Sequence, residues 1–183
     1  IAAYCQKQRA AGTQIFVDPI MGDEGHLYNG LTDETVKEMR KLIAQADYMV
    51  PNYTEAALLT GTAYEEKGTS KGEIQELLQK LHAISGGSVV ITSAKVDGAD
   101  VVAGYDAKKE SYFLLPFDLI PVRFPGTGDI FSSIFMGDVL LGKDMEDATV
   151  KAMQAVREMI LRNMDNQDTF KGIPIETCLE VID

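Results

Sequence analysis

The sequence predicts an α/β protein built on a parallel sheet with crossover helices. Three observations carry that prediction. Short β-rich runs alternate with amphipathic stretches of helical period through the first half of the chain. Oxygen-bearing side chains stand directly after each of the first three β-rich runs, where open α/β sheets bind ligands. A glycine motif, Gly126-Thr127-Gly128-Asp129, immediately precedes an apolar helical run.

The elements follow in order. Residues 1–12 read as a helix already under way at Ile1 and stopped at Gly12. Residues 14–18 form a short strand that ends at Asp18-Pro19, and a loop runs from there through Gly22 and Gly25 to Asn29-Gly30. Thr32 caps the next helix, with Thr35 where a capping box would carry Glu, and Val36, Met39, Leu42 and Ile43 recur at helical spacing. A second strand at 47–50 is stopped by Pro51. A short helix follows at 53–60, ended by Gly61. Residues 71–85 are amphipathic, with Ile74, Leu77, Leu78, Leu81 and Ile84 on one face, and 88–92 form a buried type of strand.

The pattern then changes. Residues 100–105 and 110–115 flank a polar turn and read as a hairpin, and 116–125 are irregular. A helix at 130–141 is apolar almost all round, so it should be buried. A helix at 144–162 turns Met145, Ala148, Ala152, Ala155, Met159 and Ile160 inward. A polar loop at 165–172 and a short element at 175–182 complete the chain.

With 183 residues, the chain is expected to be a single α/β domain spanning 1–183 with a sizeable core. A start inside a helix predicts that an N-terminal part is missing. The net charge of −11 leaves no basic stripe for a nucleic-acid backbone, which argues against nucleic-acid partners. No apolar run reaches membrane-spanning length, and no signal peptide is visible, so no membrane role is expected. Cys5 and Cys178 lack metal-ligand or disulfide-motif spacing and read as free thiols of a cytoplasmic protein.

Gly126 and Gly128 permit unusual dihedrals and close backbone approach. The N–H groups opening the following helix have no intrahelical partner and carry the positive end of its dipole. Together these features suit an anion such as phosphate, and Asp129 beside them suits proton abstraction. The plain alternative is a turn with Asp129 as a helix N-cap. Asp18 and Asp23 after the first strand, Asn52 and Glu55 after the second, and Thr92 and Ser93 after the third offer hard oxygen donors that suit Mg²⁺. Each has a structural alternative: Asn52 and Glu55 as a helix cap, Thr92 and Ser93 as turn hydroxyls, Asp18 as a strand terminator.

Three segments then carry a resemblance. Residues 17–28, Val-Asp-Pro-Ile-Met-Gly-Asp-Glu-Gly-His-Leu-Tyr, resemble the signature loop of the pyridoxal kinases. Residues 46–61 are similar to that family's Asn-x-x-Glu segment, and Gly126 to Asp129 resemble the anion-hole motif of the wider ribokinase-like superfamily. The resemblance runs from about Phe16 to Leu141 and more loosely to the end. It implies a ribokinase-like fold with a mostly parallel central sheet, helices on both faces and a β-hairpin before the anion hole.

The resemblance also implies a reaction: transfer of the γ-phosphoryl group of ATP to the 5′-hydroxyl of pyridoxal, pyridoxine or pyridoxamine. Asp129 would be the base, and the backbone of Gly126, Thr127 and Gly128 the anion hole. Asn52, Glu55 and Asp23 would place Mg²⁺, partly through water. Asp18, Asp23 and Tyr28 would face the phosphates and their cations, and Thr92, Ser93 and Thr127 would lie near the nucleotide. A homodimer and a monovalent cation, K⁺ or Na⁺, are also implied. Val50, where many relatives carry Thr, lacks the hydroxyl such a cation site would use. The missing N-terminal part would supply much of the vitamin pocket. Two alternatives stand beside this reading: a hydroxymethylpyrimidine kinase of the same superfamily, where Cys typically stands in place of Asp129, and a non-catalytic nucleotide-binding remnant.

Overall fold

In the computed structural model, which describes residues 1–166 and 168–182, the chain forms two units, Ile1–Phe117 and Asp118–Asp183. The first is built on a five-stranded sheet flanked by helices. Along the chain come α1 (Ala2–Ala10), β1 (Phe16–Val17), β2 (Gly22–Asp23), β3 (His26–Leu27), α2 (Asp33–Ile43), β4 (Tyr48–Met49), α3 (Tyr53–Thr60), α4 (Lys71–Ser85), β5 (Ser88–Val96), β6 (Ala99–Asp106) and β7 (Ser111–Pro116). The sheet order is β1-β4-β5-β6-β7. The pairs β1–β4 and β4–β5 are parallel, as the strand–helix alternation predicts, and β6 and β7 extend the sheet antiparallel.

Local chemistry sets these boundaries. Thr35 Oγ1 accepts the Thr32 backbone N–H at 3.3 Å, so threonine does the work expected of Glu at the start of α2. Asn52 and Glu55 form a capping box at α3, and Ser70 and Glu73 form another at α4. Both helices stop at left-handed glycines, Gly61 and Gly86. Ile74, Leu77, Leu78 and Leu81 of α4 are buried together with Ile43, Met49, Leu59, Val89 and Ile91, and Met21 from the β1–β2 loop joins the same core without exposed surface. Phe16 and Tyr48 stack across the β1–β4 pair with centroids 4.7 Å apart.

Several expectations are corrected. The loop predicted between β1 and α2 contains a small antiparallel hairpin, β2–β3, turned by Glu24 and Gly25, both with positive φ. β5 does not end at residue 92. It continues to Val96 and turns tightly through Asp97 and Gly98 into β6. The hairpin predicted before the glycine motif is present as β6–β7.

In the second unit, α5 (Thr127–Leu140) and α6 (Met145–Arg162) pack on each other. α5 begins at Thr127, three residues before the predicted start. Its Ile130, Phe131, Ile134, Phe135 and Val139 are buried, as its apolar character predicts. Asp144 caps α6 by accepting the Glu146 N–H at 3.1 Å. Ile160 of α6, expected inward, is only half-buried. The predicted polar loop holds a 3₁₀ turn at Thr169–Lys171, and the last element consists of 3₁₀ turns at Ile175–Thr177 and Leu179–Val181. Gln167, within the predicted loop, lies outside the described residues. Among the described residues no helix is long and apolar enough to cross a membrane.

Candidate active site

In the first unit, the C-terminal ends of the parallel strands carry one connected set of polar groups. Asn52 is the N-cap of α3 and leaves β4 through Pro51. Its Oδ1 accepts the Glu55 N–H at 2.9 Å, and Glu55 Oε2 accepts the Asn52 N–H at 2.9 Å. The helix-cap alternative for this pair is therefore realised. The cap also reaches further. Glu55 Oε1 accepts the Met21 N–H at 3.0 Å, and Asn52 Nδ2 donates to the Gly22 carbonyl at 2.8 Å. Thr54 Oγ1 accepts the Gly25 N–H at 2.9 Å. Three polar contacts thus fasten the loop holding Asp18, Asp23 and Tyr28 to the start of α3.

Glu55 is 3% exposed. Burial pushes its carboxyl up to about 7, the N–H groups of Asn52, Met21 and Gly22 favour the charged form, and the charge of Asp18 adds to the rise. Asp18 is half-buried and Asp23 accepts the Glu24 N–H at 2.9 Å. Tyr28 is 46% exposed and donates its N–H to the Met21 carbonyl at 3.0 Å.

Thr92 joins this set from β5. It bridges to Asn52 in parallel fashion, and its N–H donates to the Pro51 carbonyl at 2.9 Å. Immediately after it the ladder slips. Ile91 pairs with Ala103 but Ala94 pairs with Val101, so two residues, Thr92 and Ser93, oppose one on β6. Ser93 sits at φ 58 and is exposed. Left-handed backbone at a non-glycine residue is uncommon, and bulges of this kind re-aim side chains next to functional sites. Hydrophobic patterning could not reveal it, because the bulge resides in the register of a pairing rather than in composition.

Capping uses one lone pair on each of the Asn52 and Glu55 oxygens and leaves others available. Among the described residues no group of three or more His, Cys, Asp or Glu side chains forms a ready-made metal cage. The donor set fits Mg²⁺ in its usual mode, in which it keeps several waters and shares substrate phosphates. Val50 is buried and its N–H donates to the Val17 carbonyl at 3.0 Å.

The glycine motif lies in the second unit. Gly126 is the N-cap of α5, with φ 86. The first helical bond to reach it comes from the Ile130 N–H at 3.0 Å. The N–H groups of Thr127, Gly128 and Asp129 therefore precede the helical ladder, as an anion site requires. Gly126, Gly128 and Asp129 are exposed, and a Cβ at Gly128 would meet nothing within 4 Å. Thr127 Oγ1 donates to the Phe124 carbonyl at 3.3 Å, which fixes the turn. Asp129 is the third helical residue and not an N-cap, so that plain alternative fails. Its side chain is exposed, and its Oδ2 lies 3.7 Å from where a Cβ of Gly126 would stand.

Comparison with known proteins follows the same lines. A family model described as phosphomethylpyrimidine kinase matches residues 1–173. A pyridoxal kinase of Arabidopsis thaliana is 30% identical over 170 residues, covering 90% of this chain and 53% of the relative. A putative phosphomethylpyrimidine kinase of Bacteroides thetaiotaomicron, solved in an orthorhombic form with pyridoxal, has a TM-score of 0.90 at 30% identity, covering 100% of this chain and 66% of that one. Pyridoxal kinase of Lactobacillus plantarum has a TM-score of 0.83 at 28% identity, covering 100% and 67%. The resemblance read from the three motifs and the ribokinase-like fold are both borne out by these relatives. The chain spans about half the length of the curated relatives it matches.

Proposed function

The chain belongs to the phosphomethylpyrimidine kinase family, and from that premise we propose that it forms the phosphoryl-transfer part of an ATP-dependent kinase for the 5′-hydroxyl of a B6 vitamer. The observation that carries the reading is the opening of α5: three backbone N–H groups that precede the helical ladder, with the carboxylate of Asp129 beside them. Asp129 takes the hydroxyl proton, the alkoxide oxygen bonds to the γ-phosphorus, and the bond to the β,γ-bridging oxygen breaks to release ADP. The N–H groups of Thr127, Gly128 and Asp129 face the negative charge that develops on the transferring group. Positioning and charge stabilisation are most of what phosphoryl transfer needs, so a net charge of −11 is no obstacle.

Asn52, Glu55 and Asp23 are the residues that would hold Mg²⁺, largely through water, and the ion would neutralise phosphate charge. Asp18 and Tyr28 face the phosphates, and Thr92 and Ser93 face the nucleotide. Both units are read as one kinase domain, active as a cytoplasmic homodimer. Support for pyridoxal as acceptor comes from the 17–28 loop and from the Bacteroides relative solved with pyridoxal.

The family description favours a second reading, a hydroxymethylpyrimidine kinase. Asp129 speaks against it, because Cys typically occupies that position in those enzymes. ATP consumption by the full-length protein, assayed with pyridoxal, pyridoxine, pyridoxamine and hydroxymethylpyrimidine, separates the two. Turnover with a vitamer is expected. Turnover with hydroxymethylpyrimidine alone replaces the acceptor, and turnover with neither removes the kinase reading.

A further inference from the structure

We propose that Tyr64, outside every motif named above, is a positioning residue that holds the β2–β3 hairpin, and with it Asp23, in place for Mg–ATP. This inference rests on the phosphoryl-transfer reading of the site. Tyr64 lies in the connection between α3 and α4, yet its ring lies against the hairpin turn. A Cβ at Gly25 would stand 2.7 Å from Tyr64 Cδ1 and 3.1 Å from Cε1. Gly25 has φ 81, so only glycine permits both the turn and the ring seated on it. On its other side the turn is held by the Gly25 N–H donating to Thr54 Oγ1 at 2.9 Å. The turn is therefore gripped between an aromatic face and a hydroxyl.

The grip has a fixed mounting. The Tyr64 ring packs on Tyr53, the first residue of α3, with centroids 5.2 Å apart and planes at 42°. Its connection is tied to β5: the Thr69 N–H donates to the Lys95 carbonyl at 2.9 Å, and the Asp97 N–H donates to the Thr69 carbonyl at 2.9 Å. Burial pushes the Tyr64 phenol up, and the charges of Asp23 and Glu24 in the turn add to the rise. Nothing else in the 61–70 connection reaches the hairpin with an aromatic face, and the polar character of that stretch conceals the role in the sequence.

The test uses the full-length protein with Tyr64→Ala, Tyr64→Phe and Tyr64→Leu. In Tyr64→Ala, the KM for ATP at fixed Mg²⁺ should rise about two- to tenfold, the range expected for loss of one aromatic contact, while kcat stays within about twofold. Tyr64→Phe keeps the ring on the turn and loses only the phenol's hydrogen bond with Thr54, so its KM should rise less than that of Tyr64→Ala. Tyr64→Leu, which keeps apolar bulk on Tyr53, guards against a folding failure in the alanine variant and should fall between them. Without nucleotide, amide hydrogen exchange at residues 22–27 should accelerate in Tyr64→Ala and not in Tyr64→Phe. A lowered melting temperature with unchanged KM and unchanged exchange overturns the proposal and leaves Tyr64 a packing residue. Should the wild type show no turnover, calorimetric Mg–ATP affinity replaces KM. The inference then stands if Tyr64→Ala weakens that affinity, and falls if it does not or if the wild type binds no nucleotide.

Discussion

Glu55 and Met21, 34 residues apart in sequence, meet through a buried hydrogen bond of 3.0 Å from the Met21 N–H to Glu55 Oε1. The other carboxylate oxygen caps its own helix at Asn52. One side chain thus joins the loop after β1 to the helix after β4, and the elements bearing Asp18, Asp23 and Asn52 are held as a unit.

That position predicts a pH dependence. Burial raises the Glu55 carboxyl from 4.5 to about 7. Between those values the folded protein holds a proton that the unfolded chain has lost, so the unfolded state binds fewer protons and stability falls as pH rises. The contribution is complete below the unfolded value, declines through the interval and is gone above the folded value. A shift of this size corresponds to roughly 3 kcal/mol at most. Melting temperatures should drop between about pH 5 and about pH 7 and level off above. In Glu55→Gln the same segment of the curve should be flatter. A melting temperature that climbs across the interval would show that the folded site favours the carboxylate.

A second prediction concerns the other end of α3. Arg40 Nε donates to the Leu59 carbonyl at 2.6 Å and Nη2 to the Leu58 carbonyl at 3.1 Å. The guanidinium thereby adds donors to carbonyls of the last helical turn, where the Leu58 carbonyl otherwise accepts only a long bond of 3.4 Å from the Gly61 N–H, at the negative end of the dipole. Arg40→Ala should cost about 1.5–3 kcal/mol in urea denaturation, the range for hydrogen bonds to a charged group. Lysine should restore only part of it, because an ammonium lacks the planar fork. An unmoved urea midpoint in Arg40→Ala would mean that water satisfies those carbonyls equally well.

How much of this was legible follows from where the information resides. α3 and α4 were readable to their ends, because Asn52, Gly61, Ser70 and Gly86 are local signals that act within one turn. The oxygen donors at the strand ends were also readable, because strand order alone puts Asp18, Asn52 and Thr92 at one edge. Asp97-Gly98 is a two-residue hairpin signal, but it lies beyond residue 92, where the predicted strand stops, so the β5–β6 pairing was not read from it. The β2–β3 turn was harder, since Glu24-Gly25 lacks the usual Asn or Asp. The Ser93 bulge and the seat of Tyr64 on Gly25 depend on tertiary contact, and no window of sequence contains them.

Two adjacent glycines should respond to substitution for different reasons. Gly86 ends α4 at φ 73 with open space around it. Gly87 lacks positive φ, but a Cβ there would stand 2.6 Å from the carbonyl oxygens of both Ala46 and Asp47. Backbone cannot swing aside as a side chain can, and the Ser88 N–H to Asp47 carbonyl bond of 2.8 Å beside it holds β4 to β5. Gly86→Asn should cost only a few tenths of a kcal/mol, since Asn tolerates left-handed backbone. Gly87→Ala should cost about 1–3 kcal/mol through overpacking. Denaturation midpoints of the two variants check this, and equal losses would mean that conformation, not the close approach, governs both sites.

The sharpest prediction for function separates the two parts of the glycine motif. Anion binding is assigned to backbone N–H groups of Thr127, Gly128 and Asp129, which substitution of a side chain leaves in place. Proton abstraction is assigned to the Asp129 carboxylate alone. Asp129→Asn keeps the size of the side chain at an exposed first-turn position and removes the base. Nucleotide affinity, measured by calorimetry, should stay within about twofold, while kcat falls by about 10²–10⁴, the contribution of a placed general base. Pre-steady-state measurement should locate the loss in the chemical step, with no burst of ADP. Gly126→Ala offers the converse. It strains the φ 86 turn that aims the amides, so it should weaken nucleotide binding and turnover together. Near-normal turnover in Asp129→Asn would remove the carboxylate from the mechanism and leave the N–H groups that open α5 as the motif's whole contribution.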